Sequence, residues 1–175
     1  MTVVFIGGSR CVTRLADEVV RRLEKIVERR LPVVVGDANG ADRAVQAFFA
    51  AQGYELVTVF CTAGVCRNNV GRWPLRAAPA PPGRRGFAFY AAKDVALADE
   101  ATVGLMLWDG ASRGTLANVE RLVERGKPVL VYTAPRREFA AVRGPDDLAA
   151  LRRRVGAPDD GPRGAAADED QAALF

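Results

Sequence analysis

Short, unbroken apolar runs alternate along this chain with stretches in which apolar residues recur every three or four positions. Thr2–Ile6 (TVVFI), Leu31–Val35 (LPVVV), Leu56–Cys61 (LVTVFC), Thr102–Trp108 (TVGLMLW) and Pro128–Tyr132 (PVLVY) have the length and composition of strands covered on both faces. Between the first two runs, Leu15, Val19, Leu23, Ile26 and Val27 fall at helical spacing among Arg and Glu. Ala41, Ala44, Val45, Phe48 and Phe49 trace a second helix, and Leu116, Val119, Leu122 and Val123 mark another. Phe87–Ala98 and Asp146–Val155 also read as helices. Residues 61–86, CTAGVCRNNVGRWPLRAAPAPPGRRG, are dense in Pro and Gly, and the pattern predicts no regular structure there.

Continuous apolar strands alternating with amphipathic helices predict an α/β fold with helices on both sheet faces. Right-handed crossovers then give a three-layer, doubly wound, Rossmann-like parallel sheet of about five strands in the order 3-2-1-4-5. Its switch point lies between strands one and four, and ligands bind at the carboxyl ends of such strands. No internal repeat is present. Residues 1–155 are expected to form one domain. Residues 156–175, rich in Ala, Gly, Pro and Asp, read as a flexible tail.

Composition narrows the chemistry. The 175 residues include 25 Lys+Arg and 21 Asp+Glu but no histidine. A Ser-His-Asp triad, a Cys-His dyad, histidine zinc sites and a histidine general base are thereby excluded. The net charge of +4 permits only weak direct contact with DNA, and the Arg pairs are scattered as on solvated helix faces. Cys11, Cys61 and Cys66 form neither a C-x-x-C pair nor a metal set, and Cys11 and Cys61 are expected in or near the core. No metal or cofactor is implied. No leader or long apolar run opens the chain, so no membrane association and a cytoplasmic location are expected.

The strand ends at the switch point carry the unusual residues. After strand one come Gly7, Gly8, Ser9 and Arg10, where backbone amides can approach a phosphate and two side chains can donate to it. After strand two comes GDANGADR; Asp37 can accept from ribose hydroxyls, while Asn39 and Asp42 fit either a helix cap or a ligand contact. After strand four come Asp109, Gly110, Ser112, Arg113, Gly114 and Thr115, leading straight into a helix. Two glycines, two hydroxyls and an arginine at a helix N-terminus make this the best anion site in the chain. Trp73 and Trp108 are candidates to stack on a base, with core packing the stronger alternative for Trp108.

The segments FIGGSR, VVVGDANGADRA, FYAAKDVALADEA and GLMLWDGASRGTLANVERLVERGKPVLVY together resemble the SLOG superfamily. This Rossmann-like group includes the Lonely Guy phosphoribohydrolases, often labelled lysine decarboxylases, and the core of the DNA-processing protein A. The resemblance spans Thr2 to Ala134 and is nearest to small stand-alone bacterial and phage members. It implies a nucleotide or nucleotide-derived ligand held across strands one and four. It also implies pairing of two copies through helices beside the site. The hydrolases' Arg-Lys-x-x-Met helix aligns with Lys93, Asp94 and Leu97, and their Pro-Gly-Gly-x-Gly-Thr-x-x-Glu motif places Asn118 at the glutamate. Asn118 cannot ionise, and Glu120, two residues on, is turned about 200° around the helix. Hydrolysis of an N-glycosidic bond would therefore need Asp109, Asp94 or Asp37, with Lys93, as catalytic groups. Lys93 reads either as a phosphate ligand or as a surface lysine paired with Asp94 or Glu100. Arg67-Asn68-Asn69 is similar to an Arg-Asn element of these proteins and would fold over the ligand as a lid or cover a sheet edge.

The chain ends in Gln171-Ala172-Ala173-Leu174-Phe175, which resembles the Gln-x-x-Leu-Phe peptide that docks bacterial polymerases and repair proteins on the sliding clamp. The alternative is that its last two apolar residues pack on their own domain or on a twin subunit. Three roles follow: a nucleotide-binding sensor or accessory protein, a nucleotide N-glycosidase, and a clamp-associated protein of DNA transactions.

Overall fold

The computed structural model describes residues 1–156 and Leu174. In chain order the elements are β1 (Val4–Gly8), α1 (Asp17–Glu28), β2 (Val33–Val35), α2 (Ala41–Ala51), β3 (Val57–Thr62), β4 (Leu75–Ala78), α3 (Phe87–Glu100), β5 (Val103–Trp108), α4 (Arg113–Glu124), β6 (Val129–Thr133), β7 (Glu138–Val142) and α5 (Pro145–Gly156). The strands form one sheet in the order β4-β3-β2-β1-β5-β6-β7. Every pairing is parallel except β6 with β7. The five strands expected from the apolar runs are the inner block β3-β2-β1-β5-β6, in the expected order.

The period of two in each strand builds two cores. Val4, Ile6, Val33, Val35, Val59, Leu105 and Leu107 face one side, where they pack with Val19, Leu23 and Ile26 of α1 and Val45 and Phe49 of α2. Phe5, Val34, Phe60, Met106, Trp108 and Val131 face the other, with Leu97 of α3, Val119 and Leu122 of α4, and Leu148 and Leu151 of α5. Each such Val, Leu or Phe contributes about 1.5–3 kcal/mol by leaving water.

Two edge strands correct the sequence reading. The Pro- and Gly-rich stretch 61–86 contains β4, which pairs with β3. Its residues lie between Pro74 and Pro79 and are mostly exposed, an edge position that tolerates flanking prolines. β7 pairs antiparallel with β6, from Val129 opposite Val142 to Thr133 opposite Glu138. β4 is interrupted by Arg76 and mostly exposed, and β7 is short and only partly buried, with Phe139 against one core and Val142 against the other.

The excursion between β3 and β4 is stapled to α2. Gln46, fully buried, donates to the carbonyls of Gly36 (2.8 Å) and Asn68 (3.2 Å) and accepts from the Val70 amide (2.9 Å). Asn69 bonds both the amide and the carbonyl of Trp73, whose indole donates to the Tyr54 carbonyl at 2.8 Å. This fixes where Arg67 and Asn68 sit. Of the peptide QAALF, Gln171 and Phe175 lie outside the described residues. Leu174 is half-buried against the core cluster that holds α1 and α2.

Gly8 is where β1, β5 and α2 meet. A Cβ there would lie 2.3 Å from the Leu107 carbonyl oxygen and 2.8 Å from the Ala41 Cβ. Gly8→Ala is therefore expected to lower unfolding free energy by roughly 1–3 kcal/mol in urea titrations. An unchanged midpoint would show that this junction can part without cost.

Candidate functional site

β1 lies between β2 and β5, so the carboxyl ends of these three strands converge where the sheet changes winding direction. The loop leaving β5 is organised by Asp109. Its Oδ1 accepts from the amides of Ala111 (3.0 Å) and Ser112 (2.7 Å), and its Oδ2 accepts from the Cys11 thiol (2.7 Å). Partial burial opposes ionisation, but the Cys11 thiol and these two amides overcome it and hold the carboxyl at about 2. Asp109 thus shapes the turn, with Gly110 at φ 83°, and lies outside the cavity lining.

That turn delivers Ser112 as the N-cap of α4, its Oγ accepting from the Thr115 amide at 3.4 Å and the Thr115 hydroxyl at 3.1 Å. Ser9, buried, shares a hydrogen bond with Thr115 Oγ1 (3.0 Å) and accepts from the Asp109 amide (3.1 Å). Ser9 therefore joins the loop after β1 to the start of α4 rather than facing a ligand. The Arg113 and Gly114 amides, in the first turn of α4, have no intrahelical acceptor and carry the positive end of its dipole.

A cavity of about 570 Å³ opens beside this helix terminus. Gly7, Gly8 and Arg10 line it from β1 and its loop, and Ser112, Arg113, Gly114, Thr115 and Asn118 from α4. α3 contributes Gly86, Phe87, Tyr90, Ala91, Lys93, Asp94 and Leu97; Phe5, Ala38, Asp42 and Arg67 complete the wall. Volumes of this size suit small organic ligands.

Opposite α4 lies a buried charge cluster. Lys93, 5% exposed, places Nζ 3.0 Å from Asp94 Oδ1 and 3.9 Å from Asp37 Oδ1. Gly36 makes room for this: a Cβ there would lie 2.4 Å from Asp42 Oδ2 and 2.9 Å from Lys93 Nζ. Burial works against the lysine's charge, yet Asp94, Asp42 and Asp37 push its pKa up. Asp37 is gripped by Arg67, whose Nη2 is 2.7 Å from Oδ1 and whose amide and Nε reach Oδ2 at 3.0 and 3.3 Å. Burial resists the Asp37 charge as well, and Arg67 overcomes it, so its pKa is lowered. Asp42 has the opposite balance. Burial dominates, Lys93 offsets part of it, and Asp94 and Asp37 add repulsion; its carboxyl rises to about 6. Arg67 also lies over the Tyr90 ring, 4.3 Å from its centroid.

Of the expected residues, Gly7, Gly8, Arg10, Asp42, Lys93, Asp94, Ser112, Arg113, Gly114 and Thr115 line one cavity. Asp37 sits behind it, engaged by Arg67, and Asn39 accepts from the Asn68 amide at 3.0 Å. Neither Asn39 nor Asp42 caps α2: the N-cap is Gly40, and Asp42 reaches back to the Ala38 amide at 3.1 Å. Lys93 is buried, not a surface lysine. Both tryptophans belong to the cores, and the Trp108 indole donates to the Ser112 carbonyl at 3.0 Å. The aromatic wall is instead Phe87 and Tyr90, one helical turn apart on α3. Cys11 is exposed rather than in the core, while Cys61 is buried as expected. Asn118 faces the cavity with its Oδ1 held by Arg121 at 2.8 Å, and Glu120 turns away to pair with Arg152 of α5.

Burial of Asp42 links the stability of the fold to pH. An ordinary carboxyl at 3.8 is raised to about 6 in the folded chain, so the ionised form destabilises the fold above pH 6. The contribution of this group to stability therefore increases by about 1 kcal/mol as pH falls from 7 to 5. Urea titrations at both pH values should show that increment in the wild type and lose it in Asp42→Asn. Identical pH dependence in the two proteins would mean that Asp42 ionises normally.

Among the described residues no cluster of Cys, Asp or Glu is arranged to hold a metal ion, and no helix is long and apolar enough to cross a membrane. In comparison with known proteins, no family model matches this chain and no curated protein matches it.

Proposed function

We propose that this cavity binds a nucleotide or nucleotide-derived ligand and that the protein is a sensor or accessory factor rather than a strong catalyst. The observation that carries this reading is the state of the cavity's two outer arginines. Arg10 and Arg113 line the cavity beside the capped start of α4, and neither has an acidic partner among the described residues. Two guanidiniums without a described acidic partner, free helix amides and the Ser112 hydroxyl, whose own proton the contacts with Thr115 do not use, suit a phosphate. Phe87 and Tyr90 across the cavity suit the face of a base.

The inner strand order supports describing the sheet as doubly wound and Rossmann-like, with the ligand at the topological switch point. The motifs similar to the SLOG superfamily lead to the same strand ends. Hydrolysis of an N-glycosidic bond is the weaker reading, because Asn118 occupies the cavity where the related hydrolases carry glutamate. Of the three aspartates the sequence offers for this reaction, Asp109 and Asp37 lie outside the cavity lining and are tied up in hydrogen bonds, which leaves Asp94, paired with Lys93.

Saturating nucleotide should raise the thermal midpoint of the full chain, by an amount that grows with ligand concentration. Arg113→Ala and Arg10→Ala should each weaken binding about tenfold, the loss of a charge-assisted contact. A midpoint unmoved by mono-, di- and cyclic nucleotides and by ADP-ribose would overturn the reading. Release of free base from AMP that disappears in Asp94→Asn would favour the hydrolase instead.

A further inference from the structure

The turn that leaves β3 sets two cysteines opposite one another. Thr62 and Val65 form an antiparallel bridge, with the Val65 amide donating to the Thr62 carbonyl at 3.1 Å. Between them, Ala63 and Gly64 have φ of 52° and 76°. Two central residues of positive φ are what a two-residue type I′ hairpin requires. The next residues outward are Cys61 and Cys66. Positions that flank a hydrogen-bonded antiparallel pair have Cα atoms roughly 4.5 Å apart and side chains on one face. A disulfide needs Cα atoms about 4.4–6.8 Å apart.

The packing agrees with that register. Cys61 follows Val57 and Val59 at a period of two, and both valines belong to the core on the α1–α2 face. Cys66 packs against the same core. Both thiols are free, and they are unequal: Cys61 is 1% exposed, whereas Cys66 is half-buried just past the exposed Val65. Neither lines the cavity described above.

We propose that Cys61 and Cys66 are a reversible dithiol–disulfide pair, oxidised by a low-molecular-weight disulfide of the glutathione type. Cys66, the more exposed, loses its proton and attacks one sulfur of the small disulfide; the other sulfur leaves as a thiolate and takes up that proton. Cys61 then loses its proton and attacks Cys66 Sγ, and the second small thiolate leaves with that proton. Two protein thiols become one disulfide, and one small disulfide becomes two thiols. Closure gives up the Cys66 thiol bond to the Asn68 carbonyl (3.3 Å) and the Cys61 thiol bond to the Arg76 carbonyl (3.7 Å). Arg67, which grips Asp37, is the next residue after Cys66, so a single peptide bond joins the pair to the buried charge cluster. Burial first, and then Asp37, push both thiols up in pKa; Cys61 adds to the rise at Cys66, while Lys93 opposes it at Cys61 and Arg67 at Cys66. Exchange should therefore quicken as pH rises from about 7 to about 9.

Peptide mass after oxidation tests the pair. Trypsin leaves Cys61 and Cys66 together in residues 44–67 and Cys11 in a separate peptide. The full chain is incubated with oxidised glutathione, quenched in acid, unfolded and alkylated. The 44–67 peptide should appear without alkyl groups and two hydrogens lighter, and dithiothreitol should restore two alkylatable thiols. In Cys61→Ser, glutathione should remain on Cys66; in Cys66→Ser, Cys61 should stay reduced while the chain is folded. At equal glutathione, the ratio of closed to mixed disulfide should be about tenfold or more higher in the folded chain than in urea, because the hairpin raises the effective concentration of one thiol at the other. Two alkyl groups on the wild-type peptide, a glutathione adduct retained on Cys66 with Cys61 alkylated, a cross-link to the Cys11 peptide, or equal ratios in the folded and unfolded chain would each overturn the pair.

Discussion

A single buried ammonium governs how the site is put together. Lys93 is carried on α3 into contact with the ends of β2 and α2, where water is excluded. An isolated charge there would cost several kcal/mol, so α3 can dock only where carboxylates meet it. Asp94 comes from the next residue, Asp42 from the first turn of α2, and Asp37 from the end of β2. Those three acids in turn need a second cation, and Arg67 supplies it only because residues 63–74 fold back over the strand ends. Gln46 and Asn69 hold that excursion in place, and the absent side chain of Gly36 lets Asp42 and Lys93 approach. Removing the Lys93 ammonium strands the acids around it, a loss of about 3–5 kcal/mol in buried pairs.

The same arrangement divides the cavity into unlike halves. Asp109 spends its charge on the turn before α4, so the acid nearest the helix terminus is silent toward a ligand. The Ser9, Thr115 and Ser112 hydroxyls then lock that terminus to β1. What remains facing the cavity at this end is positive, and what remains at the α3 end is acidic with one ammonium among the acids. Local hydrogen bonding inside the loops therefore sets the polarity that a bound molecule meets.

Much of the framework was legible in advance. Five strands, five helices and the order of the inner strands follow from apolar runs and helical spacing, because a strand covered on both faces has to be apolar throughout. β4 and β7 escaped that logic, since an edge strand in partial contact with water needs no long apolar run: Arg76 interrupts β4, and the apolar part of β7 is four residues between Glu138 and Arg143. Ten of the expected site residues share one cavity, because strand-end loops converge wherever a parallel sheet changes direction. Roles were less legible than places. Asp37 and Asp109 look like free acids in the sequence, yet Asp37 is engaged by Arg67, 30 residues away, and Asp109 by the Cys11 thiol, 98 residues away, and by the amides of its own turn. Phe87 and Tyr90 look like ordinary helix residues, yet they form the aromatic wall.

The amino-acid pattern alone determined the five helices, the order of the five inner strands, the switch point and the absence of histidine chemistry. These depend on local periodicity and on rules of chain connection that hold for any sequence of this kind. The tertiary structure decided which carboxylates are spent and which are available, that Lys93 is buried, that Cys11 is exposed, and that the tryptophans belong to the cores. Those outcomes depend on burial and on pairings between residues far apart in the chain, and desolvation and charge pairing act through space rather than along the sequence.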